Sequence, residues 1–266
     1  MRKHLFAVAA IVAATPQVAS AERPGDHAWI DVGGFLADVD SHLRIDNQNL
    51  DIEGTHVDFE HHLGLDSNRL LPKVSAGIRI GSRFRVEADY FRLSREARIT
   101  LTESLTIDDT VFPVSADVHT EFDTNIYRVA VGYSLIRQDK AELGISAGVH
   151  ATKAEFRIEA DAVGQGLEEH RSKFVPLPNV GLYGNVDLFG PIALQGSVDA
   201  FKLKAGDYKG SLLDGQLALE ARLARHFGVG LGYRYAVYRV KADKHDWRGK
   251  LTYDYSGPVA YLELAL

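Results

Sequence analysis

The feature that most constrains the fold is an alternation of apolar and polar residues that recurs along the chain from about residue 27 to the end. The segment 84–90 reads FRVEADY, in which every second residue is apolar and each residue between is charged. Successive side chains of a β-strand point to opposite faces, so this pattern predicts an amphipathic strand. A single strand of this kind fits a soluble sandwich as well as a barrel.

The whole set of runs favours a barrel. Several runs keep one apolar face over about nine to eleven residues, which is the length that a tilted strand needs to cross a bilayer. Gly, Pro, Asn and Asp separate the runs, which predict ten strands, with eight or twelve as alternatives. An even number of antiparallel strands closes into an up-and-down barrel with both termini at one end. The predicted strands are 27–38, 70–80, 84–101, 114–136, 141–160, 174–188, 192–203, 212–225, 228–240 and 250–266.

The connections between these strands alternate in length. Those near 81–82, 136–140, 189–191 and 225–228 are tight, whereas 39–69, 102–113, 161–173, 204–211 and 241–249 are longer and polar. Short turns on the periplasmic rim and long loops on the exterior rim are typical of all-β transmembrane barrels of the outer membrane.

The N-terminus has the three parts of a secretory signal peptide. A cationic start precedes an apolar run over residues 5–14, and Ala19-Ser20-Ala21 forms a small-x-small cleavage signature. We therefore predict a signal peptide over 1–21 and a single barrel domain over 22–266. The net charge of -6 gives no global attraction for nucleic acid, and the absence of Cys is compatible with an oxidising compartment.

The chain resembles the small outer-membrane β-barrel proteins of Gram-negative bacteria. The resemblance rests on the signal peptide, the alternating runs, pieces such as VGYS at 131–134 and LGYRY at 231–235, and an apolar final strand. It implies an integral membrane protein of the cell envelope, with outer-membrane lipid and the barrel assembly machinery as partners. The chain departs from the usual pattern of a terminal aromatic residue, because it ends on Leu266.

The polar faces of the strands would line the lumen. A ring only slightly larger than eight strands has little interior space, so we predict that these charges pair into a network that leaves at most a narrow pore. The predicted lumen network consists of Arg79, Arg85, Glu87, Asp89, Arg128, Glu142, Asp187, Asp199, Glu220, Arg222 and Arg234.

A second candidate site lies in the first exterior loop. His56, Asp58, Glu60 and His62 recur at every second position, so an extended chain would place four metal-ligating side chains on one side. The alternative interpretation is a solvated polar hairpin, because one face of a surface strand is normally polar.

Catalytic groups are harder to assemble from the sequence. Ser146 and His150 share a strand face but would stand about 13 Å apart, too far for a nucleophile–base hydrogen bond. Acidic residues with His119 cluster near the rim, at Asp108, Asp109, Asp117, Glu121 and Asp123. No stretch matches omptin proteases, which share this size class, well enough to transfer any residue. We therefore predict a structural or surface-interaction role without a cofactor, its surface ligand unknown; the alternative is an outer-membrane hydrolase or protease.

Overall fold

The computed structural model describes residues 26–47, 56–107, 110–162, 165–243 and 247–266, so the predicted signal peptide lies outside the described residues. Within these ranges, no helix is long and apolar enough to cross a membrane. The elements are β1 Ala28–Asn47, β2 Val57–Asp58, α1 Phe59–His62, β3 Asn68–Ile80, β4 Phe84–Thr100, β5 Leu105–Ile107, β6 Thr110–Phe112, β7 Asp117–Gln138, β8 Ala141–Ala162, β9 Gln165–Phe189, β10 Ile192–Ala205, β11 Tyr208–Arg222, β12 Phe227–Asp243 and β13 Trp247–Ala265.

Ten of these strands form a closed antiparallel wall, as predicted. The order is β13-β12-β11-β10-β9-β8-β7-β4-β3-β1, and β1 closes the ring by pairing with β13 from Trp29↔Ala265 to Asn47↔Trp247. The start of β1 and the end of β13 meet at one rim, where the His27 backbone N–H donates to the Leu266 carbonyl at 2.6 Å. Closing the sheet pairs the edges that an open sheet would expose.

The outer surface carries a continuous apolar band. Val129 and Val131 on β7 are 53% and 50% exposed, and Leu143 and Ile145 on the adjacent β8 are 45% exposed each. Similar side chains continue around the other strands, forming an exposed apolar area that water-soluble monomers do not present. The barrel therefore has the surface of a protein that is solvated by lipid.

Aromatic pairs mark both edges of this band. Tyr90 and Tyr127 contact each other with ring centroids 5.1 Å apart at one edge, and Phe84 and Tyr133 do so at 5.1 Å at the other. Two tyrosines of β13, Tyr253 and Tyr255, do not belong to this outer set. Both are buried inside the barrel, since their side chains face the lumen.

The two rims differ from each other. The turns at 81–83, 139–140, 190–191 and 223–226 are short, as predicted for the periplasmic end. At the exterior end the strands continue beyond the predicted bounds, so that most of 161–173 and 204–211 is strand and not loop. Residues 165–173 have no alternating pattern of their own, but they pair with β8 in a register that runs to Ala162↔Gln165.

Candidate functional site

The periplasmic half of the lumen is filled by ion pairs that cross from one side of the ring to the other. Arg79 on β3 donates from Nη1 and Nη2 to the two carboxylate oxygens of Glu142 on β8, at 2.7 and 2.5 Å. The Ser134 hydroxyl donates to the same carboxylate at 2.5 Å. These residues face inward because strand parity places them opposite the lipid-facing positions, and the ion pair ties two non-adjacent strands together.

Arg128 is the centre of the largest group of charges. Its Nε donates to Asp199 at 2.6 Å, and its Nη1 donates to Asp89 at 3.0 Å and to Glu87 at 3.3 Å. All four side chains are largely buried. One guanidinium therefore pairs with three carboxylates, which come from β4 and β10.

Other predicted lumen residues form smaller pairs around this centre. The Arg85 guanidinium contacts Glu87 at 2.7 Å and lies over the Tyr183 ring at 3.3 Å from its centroid. Glu220 accepts a hydrogen bond from the Tyr261 hydroxyl. Asp187 is half-buried on β9.

Several lumen partners were absent from the predicted network, although strand parity could have identified them. Arg234 donates from Nε and Nη2 to both oxygens of Asp214, at 3.0 and 2.7 Å. Arg222 donates to Asp26 at 2.6 Å and to Glu263 at 2.9 Å near the periplasmic rim. Asp214 and Glu263 each lie next to lipid-facing leucines on their strands. This alternation in the sequence could have identified both residues as facing the lumen.

A polar cavity of about 60 Å³ remains among the central charges. It has room for a few water molecules. Its lining includes Asp31, Lys73, Asp89, Arg128 and Gln216. Lys73 donates to Gln216 at 3.1 Å and lies 4.0 Å from Asp89. A cavity of this size accommodates water and not a typical substrate.

The exterior half of the lumen is filled by an apolar core. Phe35 on β1 and Phe91 on β4 pack against Tyr255, with ring centroids 5.7 and 5.5 Å from its ring. The core continues upward through Phe122 and Phe156 and includes Leu105 and Phe112 from the β5–β6 hairpin. The β5–β6 hairpin therefore folds over the core.

A segment of the first exterior loop completes this core, and we call residues 57–65 the plug. Phe59 on α1 is 1% exposed and contacts Phe122 and Phe156, with ring centroids 5.1 and 5.4 Å away. Asp58 caps the short helix by accepting a hydrogen bond from the His61 backbone N–H at 2.8 Å. The plug thereby closes the exterior end of the lumen from above.

A buried charge fixes the plug to the wall. Arg95 on β4 is 1% exposed, pairs with Glu60, and donates to the Ser41 hydroxyl at 2.7 Å. Glu60 also accepts a hydrogen bond from the Ser41 backbone N–H at 3.0 Å. Glu60 thus connects the plug to β1 and β4 at once.

These contacts change the arrangement predicted for the four metal-ligating residues. The chain is extended only over β2 and then turns into α1, so His56, Asp58, Glu60 and His62 do not share one side. The Glu60 carboxylate binds Arg95, and His62 Nδ1 accepts a hydrogen bond from the Asp58 backbone N–H at 3.0 Å. Metal binding in this loop remains a prediction, and the structure groups Asp58 with Asp40 and His42 instead.

The candidate catalytic residues fall into two groups, one buried in the lumen and one near the exterior rim. Ser146 and His150 both approach Asp199, at 3.4 and 3.7 Å, and all three side chains are buried. The Tyr238 hydroxyl contacts His150 Nδ1 at 3.2 Å. The rim residue Asp123 pairs with Arg92, His119 contacts Glu121, and Asp108 and Asp109 lie outside the described residues.

Comparison with known proteins bears on the fold. No protein-family model and no curated protein sequence matches the chain. Among solved structures, the outer membrane protease OmpT from Escherichia coli matches with a TM-score of 0.58 at 12% identity, over 94% of this chain and 100% of OmpT. The fold is that of an outer-membrane β-barrel.

More distant matches share less of the geometry. Neisserial surface protein A has a TM-score of 0.31 at 12% identity over 90% of this chain and 97% of its own. The P. putida toluene transporter TodX has a TM-score of 0.38 at 11% identity over 90% of each chain. One barrel fold supports many functions, so these identities assign no activity.

Proposed function

We propose that the chain is an integral protein of the outer membrane with a structural or surface-interaction role and a lumen that does not conduct. The observation that carries this proposal is the filling of the lumen in two layers. Paired charges around Arg128 occupy the periplasmic half, and an apolar core sealed by Phe59 occupies the exterior half. Solute passage would require both layers to rearrange.

The apolar band supports the placement in a membrane. Lipid-exposed backbone must be paired within the protein, and a closed antiparallel ring meets that condition. The predicted signal peptide supports export, after which outer-membrane lipid and the assembly machinery would be the partners of the folding chain.

The exterior part of the wall supports a surface role. Strands β4, β7, β8 and β9 continue well beyond the apolar band and form a sheet with an apolar inner face. Its outer face carries charge pairs of both signs, such as Arg92–Asp123 at 2.9 Å and Lys153–Glu155 at 2.8 Å. This polar outer face is the surface that the cell exterior would meet.

Conductance tests the filled lumen. Purified mature protein, folded in detergent and inserted in planar bilayers, should give no stable single-channel steps, whereas a porin in the same membranes gives them. Folding of the sample is verified independently by the heat-dependent shift in electrophoretic mobility that folded barrels show. Large and reproducible steps from the folded protein would refute the proposal.

Surface labelling tests the location and orientation. The chain has no Cys, so single substitutions give clean labels. A membrane-impermeant maleimide should label Glu159→Cys on intact cells, because Glu159 lies on the exterior part of β8. Lys140→Cys in a periplasmic turn should be labelled only after the outer membrane is permeabilised. The reverse pattern, or equal labelling of both, would contradict the orientation.

An enzyme at the exterior rim is the alternative function. The described geometry offers it little support, because Ser146 and His150 contact Asp199 inside the sealed lumen. Asp123 at the rim is held by Arg92. OmpT is a protease, but its likeness to this chain concerns the fold.

A further inference from the structure

A group of metal-ligating side chains lies where the plug meets the barrel wall, above the apolar band. His42 on β1 stands opposite Asp58 on β2 in the strand register. His42 Nε2 lies 3.0 Å from Asp40, and its Nδ1 lies 3.8 Å from Asp58 Oδ2. One ligand atom from each of these three residues falls within 4.8 Å of the others.

The hydrogen bonds around His42 leave one ring nitrogen directed at Asp58. Donation from Nε2–H to the Asp40 carboxylate fixes the tautomer that has a lone pair on Nδ1, as carboxylates do for many metal-binding histidines. Among the described residues, Nδ1 is buried and has no hydrogen-bond partner. Asp58 caps α1 with Oδ1, which leaves Oδ2 directed toward the imidazole.

The surroundings carry an excess of negative charge. Asp40 is paired directly opposite Asp254 on β13, and like charges in that position destabilise a sheet. Asp254 interacts electrostatically with Asp40, His42 and Arg239, and its Oδ1 is buried without a hydrogen-bond partner among the described residues. A bound cation would offset this repulsion between the strands.

His56 supplies a second imidazole at the same place. Its ring centroid lies 5.2 Å from that of His42, and its side chain is exposed. Two imidazoles with one carboxylate form a donor set that suits zinc and related divalent transition metals better than calcium, which prefers oxygen ligands throughout.

We propose that His42, Asp58 and His56 bind one divalent transition-metal ion, zinc in the first place, with Asp40 as the residue that positions His42. Asp58 belongs to the plug and His42 to the wall. The ion would therefore tie the plug to the barrel at the exterior surface, beside the contact that Glu60 makes with Arg95.

A second group of similar composition gives a matched control. Glu96, His119 and Glu121 also lie close together on the exterior sheet. There both ring nitrogens of His119 already have partners, since Nδ1 is 3.2 Å from the Ala97 carbonyl and Nε2 is 3.2 Å from Glu121. We expect this second group to contribute nothing to zinc affinity.

Calorimetric titration of the folded mature protein in detergent with zinc chloride tests the proposal. We expect one site, with affinity at least about tenfold lower in His42→Ala and in Asp58→Asn, and unchanged in His119→Ala. The Asp58→Asn variant is informative because Asn caps a helix as well as Asp does, so the plug should stay folded. The heat-dependent mobility shift confirms that each variant is folded.

The outcomes separate cleanly. Absence of binding heat in the parent protein, or equal affinity in the parent and both site variants, would overturn the proposal. A loss of binding in His119→Ala alone would overturn it as well, because it would assign the ion to the other group. None of these results depends on whether the lumen conducts.

Protection from proteolysis tests the link to the plug. Zinc should slow cleavage within 56–67 in the folded parent protein, and chelation should restore the faster rate. In Asp58→Asn the cleavage rate should not respond to zinc. If zinc protected both proteins equally, the role of Asp58 as a ligand would be refuted.

Discussion

Replacing Arg128 by Met measures how strongly the lumen network stabilises the barrel. The substitution keeps much of the side-chain volume but removes the cation that lies 2.6, 3.0 and 3.3 Å from Asp199, Asp89 and Glu87. The Arg128 side chain is only 8% exposed, so the remaining carboxylates would be buried without their main counter-charge. Loss of one partner from a buried ion pair costs about 3–5 kcal/mol, and we expect a loss of unfolding free energy in that range.

The matched control is Arg92→Met on the exterior part of β4. Arg92 makes an ion pair with Asp123 at 2.9 Å, but these side chains are 50% and 30% exposed. Exposed pairs contribute about 0–1 kcal/mol, because water and salt screen them. The two substitutions therefore make the same chemical change in different surroundings, and their difference isolates the effect of burial.

Reversible urea unfolding in phospholipid vesicles gives the unfolding free energies of the parent protein and both variants. Tryptophan fluorescence and the heat-dependent mobility shift report the folded fraction. Adding Asp199→Asn to Arg128→Met should recover part of the loss, because it removes one of the unpaired charges. Equal small losses for Arg128→Met and Arg92→Met would refute the argument that the lumen charges are buried and mutually dependent.

Three further changes probe the band, the wall and the plug. Val131→Arg on the lipid face should cost about 2–4 kcal/mol near the bilayer midplane, and vesicle unfolding that shows no loss would contradict the band. Gly144→Ala places a Cβ 2.2 Å from Tyr183 Cζ and 2.6 Å from the Tyr133 carbonyl oxygen, so it should lower the unfolding free energy by about 1–3 kcal/mol. Gly215→Ala places its Cβ 3.7 Å from the nearest atom, so it should be near neutral in the same assay. Phe59→Ala should speed proteolysis within the plug without opening the wall, and an unchanged cleavage rate would argue against Phe59 as its anchor.

The alternation of residues was sufficient to predict the wall. In segments such as 84–90, parity assigns each side chain to lipid or lumen, so the ten strands, the short periplasmic turns and the inward direction of Arg79 or Arg128 could all be predicted. Which carboxylate each arginine meets could not, because Arg79 and Glu142 lie on strands that are not neighbours. Their pairing depends on the diameter of the ring and not on local sequence.

The exterior half was harder to predict for a different reason. Residues 165–173 form a strand because β8 beside them supplies partners, and their own sequence carries no signal of it. The plug turns helical at Phe59 because the Asp58 cap and burial of the Phe59 ring outweigh the polar alternation from which an extended chain was predicted. Both outcomes depend on tertiary contacts, which also pair one of the four predicted metal-ligating residues, Glu60, with Arg95.

Nitroxide accessibility tests most directly that the apolar band lies in lipid. Single Cys substitutions at Val129, Val131 and Val149, and at exposed Ser94 above the band, can each carry a spin label in vesicle-reconstituted protein. The three valine positions should be relaxed by oxygen and shielded from a water-soluble nickel reagent, and Ser94 should show the opposite. If the nickel reagent reached the valine positions as readily as Ser94, the barrel would not span the bilayer and the account would fail.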